Sequence, residues 1–343
     1  MAWDIIGHEW AVQYLRQCLA HGRDAHAYLI SGPAGIGKAL LALRLAQAMN
    51  CDQETDAPCL NCRNCRRIER GNHPDVRITS MTTQAAGLKA DEAARQKELK
   101  IGTIRDWLRD VTLRPYEGRR RIFILHDAER LNEEASNAML KTLEEPPSFA
   151  SLILVANSAD LLPTVVSRCQ PIRLRPLPRQ QVVQALIERA GQHQETAALL
   201  AAQSGGRIGW ALQMAATPDE WQASQERLDA LLELHRQTFS LSFRWAEERS
   251  KEYRGGAQET VFAWLELWQS WWRDVLLVAA GCTANITHID RLDALERDAH
   301  NCELAQVHAF VSRLGATTQQ LRENVNPQLA LENLLLHLPT RPA

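Results

Sequence analysis

Residues 32–39 read Gly-Pro-Ala-Gly-Ile-Gly-Lys-Ala. They follow the phosphate-loop pattern G-x-x-x-x-G-K-[ST] through Gly32, Gly37 and Lys38, then depart from it where Ala39 replaces a hydroxyl. Glycines in such a loop, Gly35 among them, let backbone N–H groups approach phosphate oxygens. The lysine and the helix N-terminus behind it add positive charge. The absent hydroxyl normally holds Mg²⁺, an ion that keeps several waters and can take one there instead. The loop is therefore an anion cradle that lacks one metal ligand of a nucleotide hydrolase. ATP is a candidate ligand, and efficient turnover is not expected.

A second set of residues bears on the same chemistry. The apolar run Arg121-Ile-Phe-Ile-Leu-His126 ends in Asp127-Ala128-Glu129. Phosphate-loop ATPases place an Asp there for Mg²⁺, and many follow it with a Glu that activates water. Asp127 fits the metal role, but alanine follows it. Glu129, two positions on, would need a turn of the chain to serve as the base.

Four of the eight cysteines, Cys51, Cys59, Cys62 and Cys65, fall within fifteen positions, spaced x₇, x₂ and x₂. Thiolates at that spacing suit tetrahedral Zn²⁺, with an iron–sulfur run as the rival. The rival pattern asks for Cys at position 69 followed by Pro, where this chain has Glu69 and Arg70. Four protein ligands leave no open position, so such a site is structural. Arg63, Arg66, Arg67 and Arg70 around it are read first as a solvated face and second as phosphate contacts. Cys169 is remote from this group and reads as core. The triplet Ser167-Arg168-Cys169 follows the third apolar run. Its arginine fits a finger reaching a neighbour's phosphate or, taken alone, a surface salt bridge.

The elements that position these groups follow from periodicity. Ala27–Ile30, Arg121–His126 and Ser151–Ala156 are continuous apolar runs, and Ile172–Leu174 is a further short one. Helical patterns over Leu40–Met49, Ile104–Val111 and Glu133–Glu144 separate them, the last stopped by Pro146-Pro147. Continuous apolar strands alternating with helices predict an α/β domain with a parallel sheet covered on both faces. Residues 82–98 read as a polar surface excursion. From Pro178 onward only helices are expected, including Gln180–Ala190, Thr196–Gln203 and Val261–Ala280. The last of these puts Trp264, Trp268, Trp271 and Trp272 on one face, as core or as a subunit interface.

Composition sets the outer limits. The chain has 343 residues, enough for two or three domains, with 45% hydrophobic residues, 23% charged residues and a formal net charge of −2. That balance excludes a whole-chain basic footprint for nucleic acid. The first residues carry no basic segment ahead of an apolar run, and no stretch nears the ~18 apolar residues of a membrane span. The expectation is a cytoplasmic protein with no membrane partner.

Taken together, these residues resemble the AAA+ clamp-loader family of bacterial DNA polymerase III over nearly the whole chain. The carriers are the interrupted loop at 32–39 and the cysteine insertion after its helix. Asn72-His-Pro-Asp75, Asn137-Ala-Met-Leu-Lys-Thr-Leu-Glu-Glu-Pro-Pro147, Ser167-Arg-Cys169 and the ending from Asn326-Pro327 complete the set. The 137–147 block with the Ser-Arg-Cys triplet is the specific part.

The resemblance implies an AAA+ domain over 1–176 with its zinc insertion at 51–65, a helical lid over 177–217 and an all-α collar over 218–343. It implies that Arg168 acts in trans on ATP held by a neighbouring gamma/tau ATPase subunit, within a hetero-pentamer that also contains a delta subunit. Through that complex the chain would meet the sliding clamp and primer-template DNA as part of the polymerase holoenzyme. Asn157 matches the family's sensor-1 position. The family's sensor-2 arginine position falls near Gly209, where the arginine is missing as a third lost hydrolysis part, with Arg207 as a substitute. The reading that follows is a non-hydrolysing stator. Its rivals are a working AAA+ ATPase of the gamma/tau kind and a zinc-dependent nucleic-acid-binding module.

Overall fold

The sheet is built on strand β1, Ala27–Ser31, which is buried along its whole length. A computed structural model describes residues 3–53, 55–86, 98–158, 161–234, 239–323 and 325–339. Strands β2 (Val76–Thr79), β3 (Arg121–Leu125), β4 (Ala150–Ala156) and β5 (Gln170–Arg173) join β1 in the order β2-β3-β4-β1-β5, every pair parallel. The register sets Leu29 beside Leu154 and Phe123 beside Leu152.

Successive residues of a strand point to opposite faces, and each face has its own core. Tyr28, Ile30, Ile122, Ile124, Ile153 and Val155 pack on one side with Leu41 and Leu45 of helix α2, Lys38–Met49. Leu29, Phe123, Leu125, Leu152 and Leu154 face the other side. There they meet helix α5 (Ile101–Val111) and helix α6 (Glu133–Glu144), with Trp107 edge-on to Phe123 at 5.1 Å. In chain order the remaining helices of this part are α1 (Glu9–Ala20), α3 (Arg63–Glu69), α4 (Met81–Ala85) and α7 (Pro163–Val166).

The α/β class and the parallel sheet are as expected, and Glu133–Glu144 is helical over its predicted span. Strand β2 was not foreseen. Val-Arg-Ile-Thr is too short and too mixed to stand out from a turn, and it pairs only on one side, as an edge strand. The polar excursion expected over 82–98 lies outside the described residues from 87 to 97, and its start falls in α4.

The chain divides into two compact units, Met1–Gln181 with Arg207–Trp210, and Val182–Gly206 with Ala211–Ala343. Among its described residues the second has helices joined by turns and no strand. Helices α8 (Arg179–Ala190), α9 (Gln194–Ser204) and α10 (Ile208–Ala216) precede α11 (Pro218–Leu234), α12 (Phe239–Arg254) and α13 (Gln258–Ala279). Helices α14 (Leu292–Asn301), α15 (Leu304–Arg322) and α16 (Pro327–Leu335) complete it.

The tryptophan stripe of α13 is core. Trp264, Trp268, Trp271 and Trp272 are all buried, Trp268 and Trp272 lie edge-on to Phe310, and Trp271 Nε1 donates to Asp298 at 3.1 Å.

Asp75 is a buried anchor of the first unit. Its carboxylate accepts the backbone N–H groups of Tyr116, Glu117 and Gly118 at 2.6–2.8 Å, fixing the loop that feeds β3. Burial opposes its ionisation, but the three N–H bonds outweigh it and hold its pKa below the ordinary 3.8. Asp75→Ala should lower stability by roughly 2–4 kcal/mol at neutral pH, because three backbone donors lose one buried, charged acceptor. Since the folded pKa is depressed, the wild-type advantage is fully present above the unfolded value of 3.8. It fades as pH falls through the lower folded value. Urea unfolding of both proteins at pH 7 and below pH 4 checks size and sign.

Candidate functional site

The cradle lies where β1 ends and α2 begins. Gly32 adopts φ +148°, and a Cβ there would stand 2.5 Å from the Leu174 carbonyl, so only glycine fits. Lys38 opens α2 and turns back over the loop. Its ammonium donates to the carbonyls of Gly32 and Pro33, both at 2.7 Å, and to Asn157 Oδ1 at 3.0 Å. Burial lowers the lysine's pKa, while the charges of Glu129 and Asp127 act in the opposite sense. Ala39 is exposed, with its methyl at the position where the pattern puts a hydroxyl.

The acidic residues beyond β3 are engaged with the backbone and with each other's neighbours. Asp127, at φ 56°, accepts the N–H of Met81 at 3.0 Å. Glu129 stands on a single 3₁₀ turn, Ala128–Arg130, and grips Asn157 twice, accepting its backbone N–H at 3.1 Å and its Nδ2 at 2.8 Å. The turn needed to bring Glu129 toward the cradle therefore exists, but its carboxylate orients Asn157. A chain of hydrogen bonds runs from Glu129 through Asn157 to Lys38.

Gly209 and Trp210 also meet the loop. Trp210 donates its N–H to the Gly35 carbonyl at 3.1 Å, and a Cβ on Gly209 would lie 2.8 Å from that same oxygen. A side chain at 209, arginine included, has no room. The guanidinium of Arg207 stacks over the Trp210 ring at 5.5 Å. Trp210 and His8, whose ring lies 3.2 Å from the Ile36 carbonyl, were missed from sequence because neither matches a phosphate-loop pattern.

The four cysteines converge. One sulfur from each of Cys51, Cys59, Cys62 and Cys65 lies within 4.8 Å of all the others. A tetrahedral Zn–S site with bonds of about 2.3 Å requires sulfurs a little under 4 Å apart, so the donor set fits. Backbone N–H groups point at the sulfurs, Cys59 to Cys51 at 3.4 Å, Cys62 to Cys59 at 3.2 Å and Cys65 to Cys62 at 3.3 Å. Leu60 takes φ 62° to make the first short turn.

Burial raises the Cys51 and Cys65 thiols. For Cys59 burial is outweighed by N–H bonds from Asn61 and Cys62 and by its cysteine neighbours, which bring it down to about 7. Holding all four as thiolates calls for a cation at their centre.

The module is tied to α2. Arg44 pairs with Glu69, and Gln47 donates to Glu69 and to the Cys65 carbonyl at 2.8 Å. Of the nearby arginines, Arg67 pairs with Glu117, Arg63 lies 3.6 Å from the same carboxylate, and Arg66 and Arg70 are exposed. Cys169 is buried core, its thiol pushed up to about 12 by burial.

Arg168 lies between α7 and β5. Its guanidinium engages Glu144, the last residue of α6, and donates from Nη1 to the Thr164 carbonyl at 2.8 Å. The plainer of its two sequence readings, a surface salt bridge, is thus present. Glu144 enters the sequence reading only as part of the 137–147 block, since one carboxylate among three in α6 carries no mark of its own.

A parallel sheet with a phosphate-loop pattern at the β1–α2 junction and a four-cysteine insertion after α2 define an α/β protein of the phosphate-loop type. Residues 7–178 match the family model for "DNA polymerase III, delta subunit", and residues 218–340 match its C-terminal counterpart. The chain belongs to this DNA polymerase III family.

Among its relatives, DNA polymerase III subunit delta′ of Bacillus subtilis (strain 168) is 28% identical over 95% of this chain and 94% of its own length. DNA polymerase III subunit tau of Escherichia coli (strain K12) is 34% identical over 67% of this chain but only 35% of its own length. Among solved structures, a gamma-subunit-related protein from Thermotoga maritima aligns with a TM-score of 0.43 at 17% identity, over 95% of this chain and 98% of that one. No helix among the described residues is long and apolar enough to cross a membrane.

The thiolate cluster predicts one equivalent of bound metal per chain, read by elemental analysis of the purified protein. Cys59→Ser should lower that occupancy severalfold and expose the remaining three thiols to a thiol reagent.

Proposed function

We propose that this chain is the non-hydrolysing, delta-prime-type member of a bacterial clamp loader. In this reading it is a cytoplasmic subunit of a hetero-pentamer with gamma/tau and delta subunits, which opens the sliding clamp and places it on primed DNA. The three-part division at 1–176, 177–217 and 218–343 belongs to the same proposal, the last part serving as the collar. Arg168 is the trans arginine finger, directed to the γ-phosphate of ATP on a neighbouring ATPase subunit. Cys51, Cys59, Cys62 and Cys65 hold a structural Zn²⁺, which contributes folding energy and no chemistry.

One observation supports the non-hydrolysing role above the others. Glu129 has both oxygens on Asn157, and Ala39 and Ala128 stand where the hydrolytic pattern asks for a hydroxyl and a Glu. Among the described residues, the one carboxylate that could stand in as the base is turned to Asn157 rather than to an attacking water. Gly35, Gly37 and Lys38 keep the shape of a nucleotide site, and ATP binding there remains compatible with the loop's backbone. An incoming phosphate would take Lys38 from its present acceptors.

Two measurements test this reading. A loader reconstituted with Arg168→Ala should lose DNA-stimulated ATP hydrolysis by at least about fivefold, since such a finger stabilises charge at the transferring phosphoryl group. Unchanged hydrolysis would overturn the trans role. The isolated chain should hydrolyse no ATP above background. Turnover abolished by Lys38→Ala would instead establish the gamma/tau-like ATPase reading.

A further inference from the structure

The guanidinium of Arg168 is fixed at two of its edges. Nε donates to Glu144 Oε1 at 2.9 Å, and Nη2 donates to the same oxygen. Nη1 donates to the Thr164 carbonyl at 2.8 Å, with Ser167 Oγ at a marginal 3.4 Å. A guanidinium has five N–H groups arranged on edges. Side-on engagement through Nε and one Nη2 hydrogen leaves the second Nη2 hydrogen, on the end-on edge beside Nη1, to meet a phosphate oxygen. Among the described residues no further acceptor meets Nη2.

We infer that Glu144 is the positioning residue for Arg168: it holds the side edge of the guanidinium so that the end-on edge is presented to an anion outside this chain. This inference rests on the trans-finger reading of Arg168.

The sequence context of Glu144 favours a role beyond local structure. It ends α6, where the helix dipole is negative and disfavours a carboxylate, and Glu145 follows it. The Arg168 cation offsets that charge, together with Lys141 in the last turn of the helix. Both groups are partly open to water, with side-chain exposures of 32% for Arg168 and 50% for Glu144, so the pair adds little to overall stability. Its consequence is orientation. An arginine has several rotatable bonds, and anchoring the base of its fork at Glu144 and Thr164 removes that freedom before a neighbour arrives. The backbone helps, because Arg168 N–H donates to Val165 O at 3.2 Å and sets the side chain back over the α7 turn.

The test uses the full reconstituted complex. Glu144→Ala should lower the kcat of DNA-stimulated ATP hydrolysis by about three- to tenfold, with little change in the KM for ATP. Loss of orientation acts on the transition state rather than on ground-state binding. Glu144→Gln, which keeps an acceptor without the charge, should give an intermediate rate. The double variant Glu144→Ala/Arg168→Ala should match Arg168→Ala alone, because Glu144 acts only through the arginine. Assembly of each variant complex, read by gel filtration, should equal the wild type.

A wild-type rate for Glu144→Ala, a faster rate, or losses that multiply in the double variant would each overturn the inference while leaving Arg168 as the finger. A normal rate for Arg168→Ala alone would remove the finger reading itself.

Discussion

The Lys38 ammonium is the constraint on which the first unit's functional end depends. A buried cation must be surrounded by acceptors or lose its proton. Its acceptors come from Gly32 and Pro33 in the loop after β1 and from Asn157 after β4, and Asn157 is in turn held by Glu129 after β3. The ends of the three central strands are thereby joined through one amine. The loop's glycines serve the same end, since a Cβ on Gly32 would stand 2.5 Å from the Leu174 carbonyl oxygen.

A second tie runs from the same helix to the thiolate module. Lys38 and Arg44 are both on α2 and both buried. Arg44 reaches Glu69 on α3, while Gln47 reaches the Cys65 carbonyl, so the module is registered to the helix that the cradle begins. Asn50, just past the helix, continues the link by donating to the Arg120 carbonyl at 2.9 Å and accepting the Arg120 N–H. A thiolate-bound ion would then stiffen the far end of α2 and not the chemistry at its start.

Strong periodic signals were legible in the sequence. The buried strands β1, β3 and β4 are continuous apolar runs, α6 is capped by Asn132 and closed by Pro146-Pro147, and the tryptophans of α13 fall on one face. The cysteine spacing was enough to bring four sulfurs together. What escaped was of another kind. Strand β2 draws its identity from pairing with β3, which leaves little trace in four residues. Gly209 could be aligned with an arginine position from sequence, but the reason for glycine, a carbonyl 2.8 Å away, exists only in three dimensions. Glu129 presented the same difficulty. Its type and distance from Asp127 left it open as a base, and only its two bonds to Asn157 assign the carboxylate another task.

That assignment bears on why a chain that, in the proposed reading, does not hydrolyse ATP retains so much of a phosphate-loop cradle. Lys38, Asn157 and Glu129 satisfy one another, so deleting any one strands a polar group of the others, a loss that falls on folding whether or not phosphate ever binds. The segment running from Asp127 through Glu144 then has a function of its own in this reading. At its start Glu129 fixes the end of β4, and twelve helical residues later, about 18 Å along the axis, Glu144 holds Arg168. A rigid helix between these two points sets the arginine's place relative to the sheet. In the proposed reading, retaining the cradle's internal bonds therefore serves the arginine offered to a neighbour, whether or not the cradle does chemistry of its own.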